Sequence, residues 1–230
     1  MIRRFVFSGI LAAIVAIGGY SIAGLQGSGQ PFMAANAQQV GSAETAADAS
    51  EEAPAEVIEM VMGAEDAPIT VIEYASFTCP HCARFHEEVY PDLVTNYVDT
   101  GQVRFVFREI YFDRYGLWAG LVARCGGPLR YFDMTDLLME WQRDWVEGEP
   151  ADVAANLRRV GLSAGLSDDQ LDVCLTDSSH AEALVTLSVA EAEADQVTGT
   201  PSFVINGELY PNMNYADFAA VLDGLLETAN

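Results

Sequence analysis

Short apolar stretches lie on either side of a long region with helical spacing in this chain of 230 residues. Three early stretches predict strands, because they are short and rich in β-branched and aromatic residues: residues 56–62, 69–77 and 102–110. A helical pattern begins at Pro80, where the missing N–H of proline needs no partner, and Pro91 should interrupt that helix. The resulting order β-β-α-β predicts the beginning of an α/β layer.

The middle of the chain, residues 112–196, has apolar residues at helical spacing throughout. Two helix starts carry capping signals. Ser167 precedes two aspartates, and Ser179 stands three residues before Glu182, as in a capping box. This region therefore predicts an all-helical insertion.

The strand pattern returns after the helical region, at residues 201–207. That stretch ends in Asn206-Gly207, a pair that favours a hairpin turn because both residues can take positive φ. Residues 215–226 then predict a closing amphipathic helix. The predicted α/β scaffold comprises residues 56–111 and 197–230, and the predicted insertion comprises residues 112–196.

Charge excludes two classes of partner. With 34 acidic and 11 basic residues, the chain carries a formal net charge of −23 at pH 7. Nucleic acids and anionic lipid surfaces are bound by clustered Lys and Arg, so we expect this chain to bind neither. Half of the residues are hydrophobic, which is enough for a sizeable core.

The N-terminal residues carry the features of an export signal. Arg3 and Arg4 precede the uncharged apolar run 5–25, and residues 35–37 offer small side chains for cleavage. The run is also long enough to span a bilayer, so residues 1–37 are either a cleaved signal peptide or an N-terminal membrane anchor. Residues 38–55 are acidic and lack aromatic residues, and they predict a flexible tether. In both cases we expect the rest of the chain to be exported across the membrane.

Cys79 and Cys82 are separated by Pro80 and His81, and this C-x-x-C spacing allows three interpretations: a metal clamp, a structural bridge or a redox-active disulfide. His86 extends the spacing to C-x-x-C-x-x-x-H, which zinc could use. Export favours a disulfide over a metal, because thiols oxidise readily outside the cytosol.

The predicted position of Cys79 favours redox chemistry. A strand ends and a helix begins there, so unpaired backbone N–H groups and the positive end of the helix dipole should stabilise a thiolate. A protonated His81 would add a positive neighbour. Each of these effects lowers a cysteine pKa, and a low-pKa thiolate is a good leaving group, so its disulfide opens easily.

These residues resemble the DsbA-type thiol:disulfide oxidoreductases of the bacterial periplasm. The resemblance rests on the C-P-H-C quartet, on Glu73 six residues before Cys79, and on Thr200-Pro201 before a strand. It covers about residues 56–227. It implies an α/β, thioredoxin-like fold with an all-helical insertion domain.

The resemblance also implies roles for the predicted catalytic residues, Glu73, Cys79, Pro80, His81 and Cys82. Cys79 would be the exposed nucleophile, and Cys82 the buried resolving partner. His81 would stabilise the Cys79 thiolate, and Glu73 would be a buried carboxylate that assists proton transfer.

Substrate binding is implied for Thr200 and Pro201. Pro201 would follow a cis peptide bond, which would place the backbone of Thr200 beside the disulfide, where it could pair with an extended substrate peptide.

Cys125 and Cys174 lie on separate predicted helices, and we predict that they form a structural disulfide. Closing a loop of about 50 residues would stabilise the fold by about 4 kcal/mol in the chain-entropy model. A second redox relay is the alternative. His86 and His180 are predicted to be solvated helix residues.

We therefore expect a protein disulfide oxidoreductase that donates its disulfide to reduced exported proteins through a mixed disulfide on Cys79. We expect a monomer, and the thiol exchange needs no bound cofactor or metal. The resemblance implies that a DsbB-like, quinone-linked membrane protein reoxidises the cysteine pair. One alternative is an isomerase or reductase of the same fold. Another is a non-catalytic module that binds metal or client proteins.

Overall fold

A computed structural model of the chain describes residues 56–229. The predicted signal peptide or anchor, residues 1–37, and the predicted tether, residues 38–55, lie outside the described residues. In the described part of the chain, five strands form one sheet in the order β1-β3-β2-β4-β5. They are β1 (Met60–Met62), β2 (Ile69–Ala75), β3 (Val103–Glu109), β4 (Ser202–Ile205) and β5 (Glu208–Pro211).

Strand β2 lies at the centre of the sheet and explains the burial of Glu73. It pairs in parallel with β3 and antiparallel with β4, and in this register Glu73 lies between Phe107 and Phe203. The apolar side chains on both sides exclude water, so Glu73 is fully buried. A carboxylate in such a place requires a partner.

The helix predicted from Pro80 is interrupted near Pro91, as expected. Helix α1 (Pro80–Glu88) ends at Val89, a short helix α2 (Tyr90–Leu93) follows, and Val94–Val98 form a π-helical turn. Pro91 lies in the first turn of α2, where the backbone N–H that it lacks would have had no partner.

Six helices lie between β3 and β4, in the region predicted to be helical: α3 (Arg114–Cys125), α4 (Pro128–Glu140), α5 (Gln142–Val146), α6 (Pro150–Ser163), α7 (Asp168–Thr176) and α8 (Ser178–Ala194). The cap predicted at Ser167 is confirmed, since its Oγ accepts from the N–H of Gln170 at 3.2 Å. The cap predicted at Ser179 is wrong. Asp177, two residues earlier, is the N-cap of α8 and accepts from the N–H of His180 at 2.9 Å.

The helical region is joined to the sheet by a buried polar cluster. The guanidinium of Arg124 on α3 donates to both carboxylate oxygens of Glu109 on β3, at 2.6 and 2.7 Å, and the hydroxyl of Tyr131 on α4 donates to Glu109 at 2.8 Å. Charges removed from water are costly unless they are paired and hydrogen-bonded, so this geometry fixes α3 and α4 on β3.

The predicted hairpin is confirmed. Asn206 and Gly207 have φ values of 47° and 87°, and they join β4 to β5. The carboxamide oxygen of Asn206 accepts from the N–H of Thr70 at 2.8 Å, which attaches the turn to β2. Helix α9 (Tyr215–Ala229) follows. Among residues 56–229, no helix combines the length and the apolarity that a membrane span requires.

Candidate active site

Cys79 occupies the position that the sequence predicted, between the end of β2 and the start of α1. It is the N-cap of α1, with extended backbone angles, and Pro80 is the first helical residue. The carbonyl oxygen of Cys79 accepts from the N–H of Cys82 at 3.1 Å and from that of Ala83 at 3.2 Å. Its sulfur is therefore beside the positive end of the helix.

The surroundings of Cys79 favour its thiolate. A hydrogen bond from the thiol of Cys82 is the largest cause that lowers the pKa of Cys79, and the Thr200 side chain and the backbone amides of Cys82 and His81 add to it. Partial burial opposes them, and the net effect lowers the pKa of Cys79 to about 5. His81 acts here through its backbone N–H, and its side chain is exposed. The role predicted for the His81 imidazole stays a prediction.

Cys82 has the opposite character. It is fully buried, and both cysteines are free thiols in this structure. Burial raises the pKa of Cys82 far above its ordinary value, and the Cys79 sulfur and the charge of Glu73 raise it further. One thiol of the pair is thus acidic and half-accessible, whereas the other holds its proton.

The prediction that His86 is solvated is wrong. Only 8% of the residue is exposed, and its Nε2 lies 3.1 Å from Oε2 of Glu73. Burial alone would lower the pKa of His86, but the carboxylates of Glu73 and Asp136 raise it to about 9. The sequence did carry a signal, since His86 follows Cys82 by four residues and therefore lies on the same face of α1.

The loop before β4 approaches Cys79 from the other side. The Thr200-Pro201 peptide bond is cis, as expected. The thiol of Cys79 lies 3.5 Å from the carbonyl oxygen of Thr200 and donates to it. The Oγ1 atom of Thr200 is buried and has no hydrogen-bond partner among the described residues.

The insertion also supports the cysteine loop, through a residue that the sequence analysis missed. Gln142 on α5 is buried, and its Nε2 donates to the carbonyl oxygens of Phe77 and Cys79 at 2.8 and 2.9 Å. The hydroxyl of Thr78 donates to Asp113, the N-cap of α3, at 2.8 Å. No local pattern marks Gln142, because its partners are more than 60 residues away.

The zinc alternative has no support in the described part of the chain. No group of three or more His, Cys, Asp or Glu side chains among residues 56–229 is placed to hold a metal ion. The nitrogen of His86 that faces Glu73 is already hydrogen-bonded.

The second cysteine pair lies in the insertion. Cys125 at the end of α3 is bonded to Cys174 on α7, with the sulfur atoms 2.07 Å apart. The predicted pairing is therefore confirmed, and it joins two helices of the insertion.

Comparisons with known proteins agree with this fold. Residues 55–224 match the family model described as Thioredoxin. The chain is 32% identical over 171 residues to the "Putative protein-disulfide oxidoreductase" of Rickettsia bellii, covering 74% of this chain and 65% of that relative's length. The chain thus spans slightly less than two thirds of this curated relative.

Two solved structures are similar to the described fold. The crystal structure of Wolbachia pipientis alpha-DsbA1 has a TM-score of 0.68 and 26% identity, over 74% of this chain and 92% of that one. A protein-disulfide isomerase from Novosphingobium aromaticivorans has a TM-score of 0.64 and 25% identity, over 75% of this chain and 97% of that one.

Proposed function

This chain belongs to the thioredoxin family, with a fold like that of DsbA proteins, and we propose that it is a protein disulfide oxidoreductase that oxidises the thiols of exported proteins. One observation carries the proposal. The sulfur of Cys79, whose pKa is lowered to about 5, lies at the N-terminus of α1 and beside the backbone of Thr200. The name of the Rickettsia relative supports the same class of reaction.

The reaction would proceed in two exchanges. A client thiolate attacks Sγ of Cys79 in the Cys79–Cys82 disulfide, the S–S bond breaks, and Cys82 leaves as a thiolate that takes up a proton. A second client thiolate then attacks the client sulfur in the mixed disulfide, and Cys79 leaves as a thiolate. Two electrons pass from the client to the cysteine pair, and the client gains a disulfide.

The difference in acidity between the two cysteines supports electron transfer from the client to the cysteine pair, which is the direction of an oxidase. A leaving group with a low pKa departs quickly, so the mixed disulfide on Cys79 is readily resolved. A stabilised Cys79 thiolate also stabilises the reduced enzyme relative to the oxidised one. The Cys79–Cys82 disulfide therefore gains oxidising strength from the same contacts that lower the pKa of Cys79.

The neighbouring groups would have the following roles. The carbonyl oxygen of Thr200 would accept a hydrogen bond from an extended client strand, as peptide recognition by main-chain pairing requires. Pro80 would start α1 without competing for a backbone acceptor, and Glu73 would accept or return the proton of Cys82. Cys125 and Cys174 would stabilise the insertion.

We assign the activity to the periplasm, with reduced exported proteins as substrates and a DsbB-like, quinone-linked membrane protein as the acceptor of the two electrons. A monomer suffices, because both cysteines and the Thr200 loop come from one chain. An isomerase is the second candidate, because the similar structure from Novosphingobium aromaticivorans is named as one.

The proposal is tested with a reduced, unfolded protein that contains two cysteines. The oxidised chain should transfer its disulfide to this client stoichiometrically. A Cys82→Ser variant loaded with glutathione on Cys79 should release that glutathione to a client with a single cysteine and keep the resulting mixed disulfide on Cys79. Titration of the thiolate absorbance should place the pKa of Cys79 near 5. A pKa close to that of free cysteine, or no transfer to the client, would refute the oxidase. Faster rearrangement of a scrambled client than oxidation of a reduced one would favour the isomerase.

A further inference from the structure

Two buried polar atoms of neighbouring side chains have no hydrogen-bond partner among the described residues. They are Oε1 of Glu73 and Nδ1 of His86. Buried polar atoms in folded proteins almost always have a partner, and an exception calls for an explanation. Both atoms belong to residues that are already joined to each other through Nε2 of His86 and Oε2 of Glu73.

The charge of Glu73 acts on the buried cysteine. It is one of the causes that raise the pKa of Cys82, after burial and the hydrogen bond with Cys79. Because Oε2 is occupied by His86, Oε1 is the atom of Glu73 that remains free to accept a proton.

His86 also borders a cavity in the protein. It lines a cavity of about 870 Å³ between α1 and the helices α4 and α5. Oδ1 of Asp136 lies 3.7 Å from Nδ1 of His86, and 54% of the Asp136 side chain is exposed. The ring of Tyr90 stacks on the His86 imidazole, with 4.4 Å between the ring centroids, and the ring of Phe107 meets the imidazole edge-on. The other titratable side chains around the cavity are Arg84, Glu87, Tyr90, Asp133, Glu140 and Arg143.

Disulfide exchange requires a path along which protons can pass between the buried sulfur of Cys82 and solvent. Cys82 must gain a proton when a client opens the disulfide, and it must lose that proton when the disulfide re-forms. Cys82 is fully buried, so the proton cannot pass directly between its sulfur and bulk water.

We infer that Glu73 and His86 form a proton-exchange pair that connects Cys82 with the cavity at Asp136; the inference rests on the proposed function. When the disulfide re-forms, the thiol of Cys82 gives its proton to Oε1 of Glu73, and His86 releases the proton of Nδ1 toward Asp136. When a client opens the disulfide, Glu73 returns its proton to Cys82, and Nδ1 of His86 takes up a proton from the cavity.

Protons and charges balance in both directions. Nε2 of His86 donates to Glu73 throughout. With the cysteines reduced, the pair is a carboxylate and an imidazolium; with the disulfide formed, it is a carboxylic acid and a neutral imidazole. The buried pair therefore has zero net charge in both states, which avoids the cost of an isolated buried charge. The free thiols of this structure, together with a pKa of about 9 for His86, correspond to the first state.

The test separates the two chemical steps of reoxidation by oxidised glutathione. The Cys79 thiolate first forms a glutathione mixed disulfide, and Cys82 then displaces glutathione to close the ring. Acid quenching followed by mass spectrometry follows each species over a range of pH. His86→Gln keeps an N–H donor toward Glu73 but cannot titrate, and Asp136→Asn changes only a half-exposed carboxylate. His180→Gln, on α8, is the matched control.

We expect His86→Gln to form the mixed disulfide within about two-fold of the wild-type rate and to close the ring about ten-fold more slowly at pH 7. This loss is smaller than the roughly 10²–10⁴-fold of general acid–base catalysis, because Glu73 remains in the variant. In the wild type the closure rate should change with pH near the pKa of His86, about 9, because above that pH Nδ1 has no proton left to release toward Asp136. This inflection should be absent in His86→Gln. It should move to lower pH in Asp136→Asn, which removes an acidic neighbour, and stay in place in His180→Gln.

Equal slowing of both steps in His86→Gln, or a closure profile like that of the wild type, would overturn the inference. If His86→Gln does not fold, an unshifted inflection in Asp136→Asn overturns it instead. Failure of the wild type to form any mixed disulfide would refute the proposed function itself, and the proton-exchange pair would fall with it.

Discussion

The thiol of Cys79 donates to the carbonyl oxygen of Thr200 at 3.5 Å, although the two residues are 121 positions apart in the chain. This contact brings together the first turn of α1 and the loop before β4, on opposite sides of the insertion in sequence. The side-chain hydroxyl of Thr200 is buried and has no partner among the described residues. A thiolate on Cys79 would supply the missing acceptor, and the Thr200 side chain is among the causes that lower the pKa of Cys79.

Thr200→Val tests this hydroxyl, because valine keeps the shape of threonine and removes the donor. The variant should raise the pKa of Cys79 and make the disulfide a weaker oxidant, since the thiolate loses a hydrogen bond. Thiolate absorbance against pH measures the first effect, and equilibration with glutathione measures the second. Ser202→Ala is the control, because its hydroxyl donates instead to the carbonyl of Gly199 at 2.8 Å. If the pKa of Cys79 is unchanged in Thr200→Val, the Thr200 hydroxyl is not a hydrogen-bond donor to the Cys79 thiolate.

The Glu73–His86 pair predicts how stability depends on pH. The folded-state pKa of His86 is raised from 6.5 to about 9, so its stabilising contribution is complete below about pH 6.5 and is lost as the pH rises through 9. The loss should be on the order of 3 kcal/mol, because each unit of difference between folded and unfolded pKa corresponds to about 1.4 kcal/mol.

Urea unfolding at pH 6 and pH 9 checks this dependence. The measurement belongs in a Cys79→Ser background, because titration of the Cys79 thiol would add stability with rising pH and mask the effect. Adding His86→Gln to that background should flatten the dependence. If stability falls by the same amount between pH 6 and pH 9 with and without His86, the fall is caused by the titration of other groups.

Local chemistry alone predicts the cysteine pair, because Cys79 and Cys82 stand at a strand-to-helix junction. The roles of Glu73, Thr200 and Pro201 follow only from the resemblance to the DsbA-type proteins, since a glutamate in a strand or a Thr-Pro pair before one has no function marked by its own surroundings in the sequence.

Other features depend on tertiary packing, which no local pattern encodes. His86 was assigned to solvent because a lone histidine on a charged helix is usually exposed, yet α4 and β3 cover that face of α1. Gln142 was not singled out at all, since a glutamine in a helical segment carries no sign of which carbonyl oxygens it will meet. The cap at Asp177 was missed because two serines beside it gave an equally good local signal.

Gln142→Leu should show how far the insertion supports the cysteine loop. The variant removes a donor from the carbonyl oxygens of Phe77 and Cys79, and that of Cys79 keeps the N–H groups of Cys82 and Ala83. Burial of an unsatisfied carbonyl, here that of Phe77, costs about 1–3 kcal/mol. We expect a loss of about 2 kcal/mol in the free energy of unfolding, measured with urea. Gln102→Leu is the control, because Nε2 of Gln102 donates only to the nearby hydroxyl of Thr100. Equal free energies of unfolding in the two variants would mean that the contacts of Gln142 do not stabilise the fold.

The Cys125–Cys174 disulfide should act on stability and leave the redox site unchanged. It joins α3 to α7 across a separation of 49 residues, and opening it restores the chain entropy of the unfolded state. The double variant Cys125→Ala/Cys174→Ala should therefore unfold with a free energy lower by about 2–4 kcal/mol, while the pKa of Cys79 and the rate of client oxidation stay close to those of the wild type. A relay would behave differently, since the variant would then keep its stability and lose the ability to pass electrons onward. Urea unfolding and client oxidation on the same preparation distinguish the two roles, because a structural bridge changes only the first measurement.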